Sequence, residues 1–157
     1  MPTGSHTVSN ADGTAAERAL QPGTGTTDLV LGASARQVLG LADALNLQFS
    51  WTRALNQSDG FKPGQRMDLS TGWAHALTHE WSLVLQANLS HRGRDSGVDA
   101  EPALSGSTTL NLSPGASVAL GQGDTLYGFV QLPVYQKVNG IQLVPTYSLA
   151  MGWTHAF

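Results

Sequence analysis

Apolar and polar residues alternate along most of the chain after residue 26, with the period of two that β-strands show. Residues 45–52 read Leu-Asn-Leu-Gln-Phe-Ser-Trp-Thr, where all eight positions alternate, and nine of the ten positions in 81–90 do the same. Helical spacing explains neither segment. The pattern predicts seven strands, at 27–38, 43–55, 65–77, 80–92, 106–120, 125–136 and 144–157.

The connections between these strands alternate strictly between tight and long. The tight ones are 39–42, 78–79 and 121–124, and the longer polar ones are 56–64, 93–105 and 137–142, the last with a turn at Asn139-Gly140. Up-and-down barrels of outer membranes have this asymmetry, with short periplasmic turns and longer external loops. We therefore expect an all-β, up-and-down antiparallel transmembrane β-barrel.

The two faces of the predicted strands differ in their chemistry. One carries large apolar residues such as Leu47, Phe49 and Leu85, and the other carries amides, hydroxyls and glycines with few charges. A solvated face of a soluble sheet usually carries Lys and Glu, which a lumen wall does not require. The candidate lumen-lining residues are Arg36, Asn46, Gln48, Arg66, Asp68, Gln86, Asn88, Arg92 and Asn111. Their charged members either are simply solvated or form a mixed-charge constriction that orients polar solutes.

The length of the strands and the positions of the aromatic residues agree with a membrane location. The predicted strands exceed the roughly 5–6 residues of soluble strands and suit the roughly 9–11 that a tilted membrane strand needs. Aromatic side chains lie near the strand ends, at the headgroup depth that Trp and Tyr favour. We expect two interfacial girdles, formed by Trp51, Trp73, Trp81, Tyr135, Tyr147 and Trp153.

Composition narrows the function classes. Charged residues make up 12% of the 157 residues, against about 25% in ordinary soluble domains. The net charge of −3 provides no basic patch for nucleic acid. The absence of cysteine excludes disulfides, thiolate zinc sites and cysteine nucleophiles. No apolar run approaches the roughly 18–20 residues of a membrane helix, and the first residues lack the pattern of a signal peptide.

A six-residue phrase occurs twice. Gly-Trp-Ala-His-Ala-Leu at 72–77 recurs as Gly-Trp-Thr-His-Ala-Phe at 152–157, 80 residues later. That interval equals four strand-and-connection units, so both copies end strands that run in the same direction. The repeat predicts equivalent positions in the sheet.

For the residues that could carry catalytic or metal-binding chemistry, structural roles are the preferred interpretation. Three histidines lie near the tight turns: His75, His79 and His155. Zinc would accept imidazole ligands, but ordinary interfacial histidines are the preferred interpretation. Ser90-His91 near Asp95 contains the residue types of a triad, yet a triad is recognised by geometry and no nucleophile elbow is present. We expect no enzymatic activity, no cofactor and no metal.

The last strand and two further phrases resemble known outer-membrane proteins. Apolar residues from Tyr147 to Trp153 alternate with small ones, and the chain ends on Phe157. This resembles the C-terminal signature that the barrel assembly machinery reads, although His155 departs from its apolar third-last position. Residues 20–28, and 129–136 with Val138-Asn139-Gly140, are similar to outer-membrane transporters that include meta-pathway phenol-degradation proteins. The resemblance implies a barrel and transport of small organic solutes.

The odd number of strands indicates a part of a larger barrel. Single-chain bacterial barrels have an even number of strands, from eight upward. Unpaired edges in lipid cost several kcal/mol per backbone group. We expect residues 1–26 to be an external loop or unstructured lead-in and 27–157 to be the C-terminal barrel strands; alternatively, 4–16 form an eighth strand. By itself the chain should form an open curved sheet and be insoluble.

The functional prediction is an outer-membrane channel that passes small solutes. Its expected partners are outer-membrane lipid, the assembly machinery through Phe157, and a small-molecule solute, without nucleic acid. One alternative is a soluble all-β ligand-binding module of lipocalin type, which would fold without detergent. Another is a barrel-borne lipid-modifying enzyme, which would depend on a Ser or His.

Overall fold

All named elements of the protein are β-strands. The computed structural model describes residues 4–14, 16 and 21–156. The strands are β1 (Asp28–Leu39), β2 (Asp43–Ala54), β3 (Arg66–Ala76), β4 (Trp81–Arg92), β5 (Ser107–Gly121), β6 (Asp124–Val138) and β7 (Ser148–His155). In this part of the chain no helix is long and apolar enough to cross a membrane.

The strand bounds agree with the alternation to within two residues, except at the start of β7. That strand was expected from residue 144 and begins at Ser148. Pro145, which has no N–H for a ladder, instead accepts a hydrogen bond from Gln136 Nε2 at 3.0 Å. The residues before Ser148 therefore belong to the last long connection.

The strands form one sheet in the order β1-β2-β3-β4-β5-β6-β7, and each pairs antiparallel with the next. This confirms the all-β, up-and-down prediction. Within the described strands, β1 and β7 each have a single neighbour, so the sheet is open, as expected for the isolated chain. Because the number of strands is odd, these two edge strands run in the same direction.

The tight turns have specific local causes. Between β5 and β6, Gln122 and Gly123 have φ of 53° and 87°, the positive values that a two-residue hairpin turn needs at both central positions. Between β3 and β4, the Thr78 hydroxyl accepts hydrogen bonds from the backbone N–H of Glu80 (3.2 Å) and Trp81 (3.0 Å). These turns bring consecutive strands together with short connections.

The long connections pack on one another at the opposite end of the sheet. We call the segments 55–65, 93–106 and 139–147 the loop cap. Lys62 and Ser96 exchange two backbone hydrogen bonds of 2.8 and 2.9 Å, and Asn139 N donates to Gly106 O at 3.1 Å. Ala54 and Phe61, the two hydrophobic residues buried among those described, lie at this end, each 3% exposed. The small core of the protein therefore lies at the loop cap and not between layers.

The described part of the lead-in contains no strand, so it offers no support for an eighth one at 4–16. Gly23 N donates to Ser5 O at 2.9 Å, and His6 contacts Asp59 of the loop cap at 3.2 Å. These contacts attach the lead-in to the loop-cap end of the sheet.

Candidate functional site

In the central strands of the sheet, the polar face is the shielded one. Along β4, Leu83, Leu85 and Leu89 are 44%, 45% and 39% exposed, while the polar residues between them are less exposed. We call the face with Leu85 the outer face and the face with Gln86 the inner face. A soluble sheet buries its apolar side, so the exposure here is the reverse. The sheet curves with its polar face inward.

The exposed area shows how little of the apolar surface is covered. The protein has 10704 Å² of accessible surface. A compact soluble protein of this mass exposes about 7,500 Å². The excess arises because one curved layer has no second layer against its apolar side.

Two neighbouring hollows on the inner face form the candidate site. They have volumes of about 310 and 500 Å³ and share Ser70 and Asn88. We call the combined feature the inner groove. The smaller hollow is lined by Asn46, Gln48, Ser70, Thr71, Gly72, Val84, Gln86 and Asn88. The larger is lined by Ser50, Arg66, Asp68, Ser70, Asn88, Leu89, Ser90, Thr109, Asn111 and Gln131.

Register explains why these residues meet. Gln48 is opposite Ser70, Ser70 opposite Asn88, and Asn88 opposite Asn111, so one row of short polar side chains crosses four strands. Seven of the nine candidate lumen residues line the inner groove: Asn46, Gln48, Arg66, Asp68, Gln86, Asn88 and Asn111.

The other two candidates, Arg36 and Arg92, share the face but line neither hollow. Arg36 lies on the edge strand β1, opposite Asn46 of β2. Arg92 Nη2 donates to both carboxylate oxygens of Asp95, at 3.0 and 2.9 Å, which holds its side chain at the loop cap.

The charges near the groove form two pairs. Arg66 Nε donates to Asp68 Oδ2 at 2.8 Å, and Arg92 pairs with Asp95. Asp95 is only 3% exposed and also accepts the Gly64 N–H at 2.8 Å. Three of these four groups were recognised from the sequence as candidate lumen residues; the role of Asp95 depends on the loop cap.

The inner face also carries an aromatic pair that was not assigned to it from the sequence. Tyr127 and Phe129 on β6 have ring centroids 5.9 Å apart. They lie opposite Gly152 and Gly115, whose missing side chains leave room for the rings. The alternation of β6 could have indicated this face, but the glycine partners follow only from the register.

We predict that Gly152→Ala destabilises the fold by about 1–3 kcal/mol, because the added methyl group would overlap the Tyr127 ring. The control is Gly128→Ala, where the nearest atoms to a new methyl group are 3.7 and 3.8 Å away. Urea unfolding in detergent micelles measures both. Equal losses of unfolding free energy in the two variants would show that the packing of the Tyr127 ring does not require a glycine at position 152.

The repeated Gly-Trp-x-His-Ala phrase has the same contacts in both copies. Trp73 Nε1 donates to Asp43 Oδ1 at 2.9 Å, and His75 Nδ1 lies 2.8 Å from the same oxygen. In the second copy, Trp153 Nε1 donates to Asp124 Oδ1 at 3.0 Å, and His155 Nδ1 lies at 2.8 Å. Each histidine is directly opposite its aspartate in register. The prediction of equivalent positions is confirmed, and the two aspartates are the partners that the sequence did not identify.

The predicted girdle residues lie at the two ends of the outer face. Trp73, Trp81 and Trp153 are at the tight-turn end; Trp51 and Tyr135 are at the loop-cap end, with Tyr147 in the adjoining connection. Trp51 Nε1 donates to Gln65 Oε1 at 3.4 Å, beyond the strand end. The assembly signal Phe157 lies outside the described residues.

The triad residues do not converge. Ser90 lies on the inner face, whereas His91 is the next residue along the strand and contacts the Thr108 hydroxyl at 2.8 Å. Asp95 is engaged by Arg92. In the described ranges, no group of three or more His, Asp or Glu side chains is arranged to hold a metal ion.

This arrangement provides a polar, hydrogen-bonding inner surface and an uncovered apolar outer surface. Hydroxyls and amides of the inner groove can bind or guide a small solute. Comparison with protein-family models, curated proteins and solved structures found no match for the chain.

Proposed function

We propose that this chain forms part of the wall of a β-barrel in a bacterial outer membrane, and that small solutes pass along its inner face. The proposal includes a non-enzymatic, cofactor-free role and a relation to the outer-membrane transporters that its sequence resembles. The observation that carries it is a band on the outer face of the described strands that has no Asp, Glu, His, Lys or Arg side chain.

Two rows of ionisable residues bound this band. The turn-side row is Asp43, His75, Asp124 and His155, and the loop-side row is Arg53, His91 and Lys137. Between them, the outer-face positions of the described strands are uncharged. Asp43 and Arg53 are ten residues apart on β2, or about 34 Å along a strand and about 24 Å across a membrane at a 45° tilt. Outer-membrane barrels have an apolar band about 25 Å tall.

The indole N–H groups agree with these boundaries. Trp51 donates towards the loop cap through Gln65, whereas Trp73 and Trp153 donate towards the tight turns through Asp43 and Asp124. Amphipathic rings at a membrane surface keep their polar atom towards water. Opposite orientations at the two ends therefore support two girdles.

The open edges support a larger barrel. β1 and β7 run in the same direction, so a closure with only antiparallel pairs needs an odd number of further strands between them. Unpaired backbone groups at either edge would cost several kcal/mol each in lipid. We propose that further strands complete the wall, and that the C-terminal strand with Phe157 engages the assembly machinery.

Single cysteines test the two faces, because the chain has none of its own. We predict that a membrane-impermeant maleimide labels Gln86→Cys and spares Leu85→Cys when the chain, completed by the further strands of the proposed wall, is reconstituted in lipid vesicles. Residue 86 faces the hydrated groove, whereas residue 85 faces lipid. Mass spectrometry measures the labelled fraction.

Both variants should be labelled fully after denaturation in urea, which controls for thiol reactivity. Equal labelling of the two in vesicles would contradict the proposal. So would a folded, soluble chain in buffer without detergent, the behaviour of a lipocalin-like module.

A further inference from the structure

Two arginines oppose each other across β3 and β4 at the loop-cap end of the inner groove. Arg66 and Arg92 are direct partners in the register of these strands. Directly opposed side chains have Cβ atoms about 4.5–5.5 Å apart, and like charges on directly opposite residues are destabilising. The pair therefore requires nearby negative charge.

Asp68 and Asp95 supply that charge, but they are less accessible than the arginines. The side chains of Arg66 and Arg92 are 61% and 46% exposed, whereas those of Asp68 and Asp95 are 28% and 3% exposed. The two aspartates neutralise the arginine pair from positions that are more buried than the guanidinium groups. The surface that a solute meets is consequently richer in positive charge than the sum of the four charges suggests.

Both guanidinium groups retain hydrogen-bond donors. A guanidinium has five N–H groups, and the ion pairs engage Nε of Arg66 and Nη2 of Arg92. Arg66 lines the larger hollow beside the hydroxyls of Ser90 and Thr109. Planar N–H donors of arginine match the paired oxygens of carboxylate and phosphate groups.

We propose that Arg66 and Arg92 form an oxyanion-binding site at the loop-cap end of the inner groove, which favours small solutes that carry a carboxylate or phosphate group. Arg66 lines the hollow of about 500 Å³, which has the size of a small-molecule site, and Arg92 adjoins it as the register partner of Arg66. A role of this site in solute passage rests on the proposed function. The binding itself requires only the folded sheet.

An NMR titration of the ¹⁵N-labelled chain in detergent micelles tests the binding. At constant ionic strength, acetate and inorganic phosphate should shift the Arg66 Nε–Hε signal in a saturable manner, and neutral acetamide should not. In Arg66→Gln and Arg92→Gln, the affinity followed by the remaining arginine should fall about tenfold, the effect of losing one charge-assisted hydrogen bond. Acetate and phosphate, titrated separately, show which oxyanion is preferred.

Arg53→Gln is the matched control, because it removes the same charge from the same end of the sheet on the outer face. It should leave the affinity unchanged. Arg66→Lys keeps the charge without the planar donors and should bind with intermediate affinity, which guards against misfolding caused by an unpaired Asp68.

Equal shifts with acetate and acetamide would overturn the proposal. So would a loss of affinity in Arg53→Gln as large as that in Arg66→Gln. If the chain instead folds in buffer without detergent, the proposed membrane role fails, and the same titration in buffer still decides whether the oxyanion site exists.

Discussion

Leu85→Arg is expected to destabilise the folded protein in a lipid bilayer by about 2–4 kcal/mol, the cost of arginine on the lipid face near the midplane. Leu85 is 45% exposed on the outer face, within the band that lacks acidic, basic and histidine side chains. In the proposed orientation, the guanidinium would have to reach across hydrocarbon to water. The adjacent Gln86→Arg places the same charge in the hydrated inner groove and should cost much less.

With the further strands of the proposed wall supplied, urea titrations of the two variants in vesicles measure the difference, with tryptophan fluorescence and gel mobility before and after heating as readouts of folding. The paired design cancels the change in net charge. Equal destabilisation at the two positions would remove the main support for a lipid-facing outer surface. A larger cost at Gln86 would show that the inner groove, and not the outer face, is the environment that excludes a charge.

Asp95→Asn is expected to destabilise the loop cap by about 2–3 kcal/mol. Asp95 accepts the buried Gly64 N–H and holds Arg92 through both carboxylate oxygens. Breaking a buried ion pair costs about 3–5 kcal/mol; Arg92 is half-exposed, so water recovers part of that energy. The substitution also places an amide NH₂ group against a guanidinium.

Hydrogen exchange of the Gly64 amide and proteolysis within 55–65 and 93–106 report on the loop cap, and urea unfolding reports on the whole sheet. Glu101→Gln, an exposed carboxylate in the same connection, makes the same charge change and should have little effect. Unchanged protection of Gly64 in Asp95→Asn would contradict the structural role of this carboxylate.

Much of the fold was predictable because its information is local. Side chains of a strand alternate between faces with period two, so 45–52 and 81–90 could be recognised as strands without knowledge of any neighbour. Tight turns join consecutive strands, which leaves the up-and-down order as the simplest arrangement. The same alternation placed Gln48, Gln86 and Asn88 on one face, where the structure has them.

The positions of the aromatic residues could also be predicted from the sequence, but their hydrogen-bond partners could not. The alternation predicts that Trp73 and Trp153 lie near strand ends, and the repeated phrase predicts that their surroundings match. Asp43 and Asp124 belong to other strands. Which residue of a neighbouring strand accepts each indole hydrogen bond depends on how far the strands are shifted along each other.

By itself, the sequence determined the strands, their order, their two faces and the chemistry of each face, because all of these follow from the local period and from short connections. Tertiary structure decided the opposition of Arg66 and Arg92, the placement of Tyr127 over Gly152, and the burial of Asp95. These contacts require a unique register. A shift of two residues keeps every side chain on its own face, so the alternation cannot distinguish the two alignments. Only pairing across the whole sheet, with the loop cap in place, selects one of them.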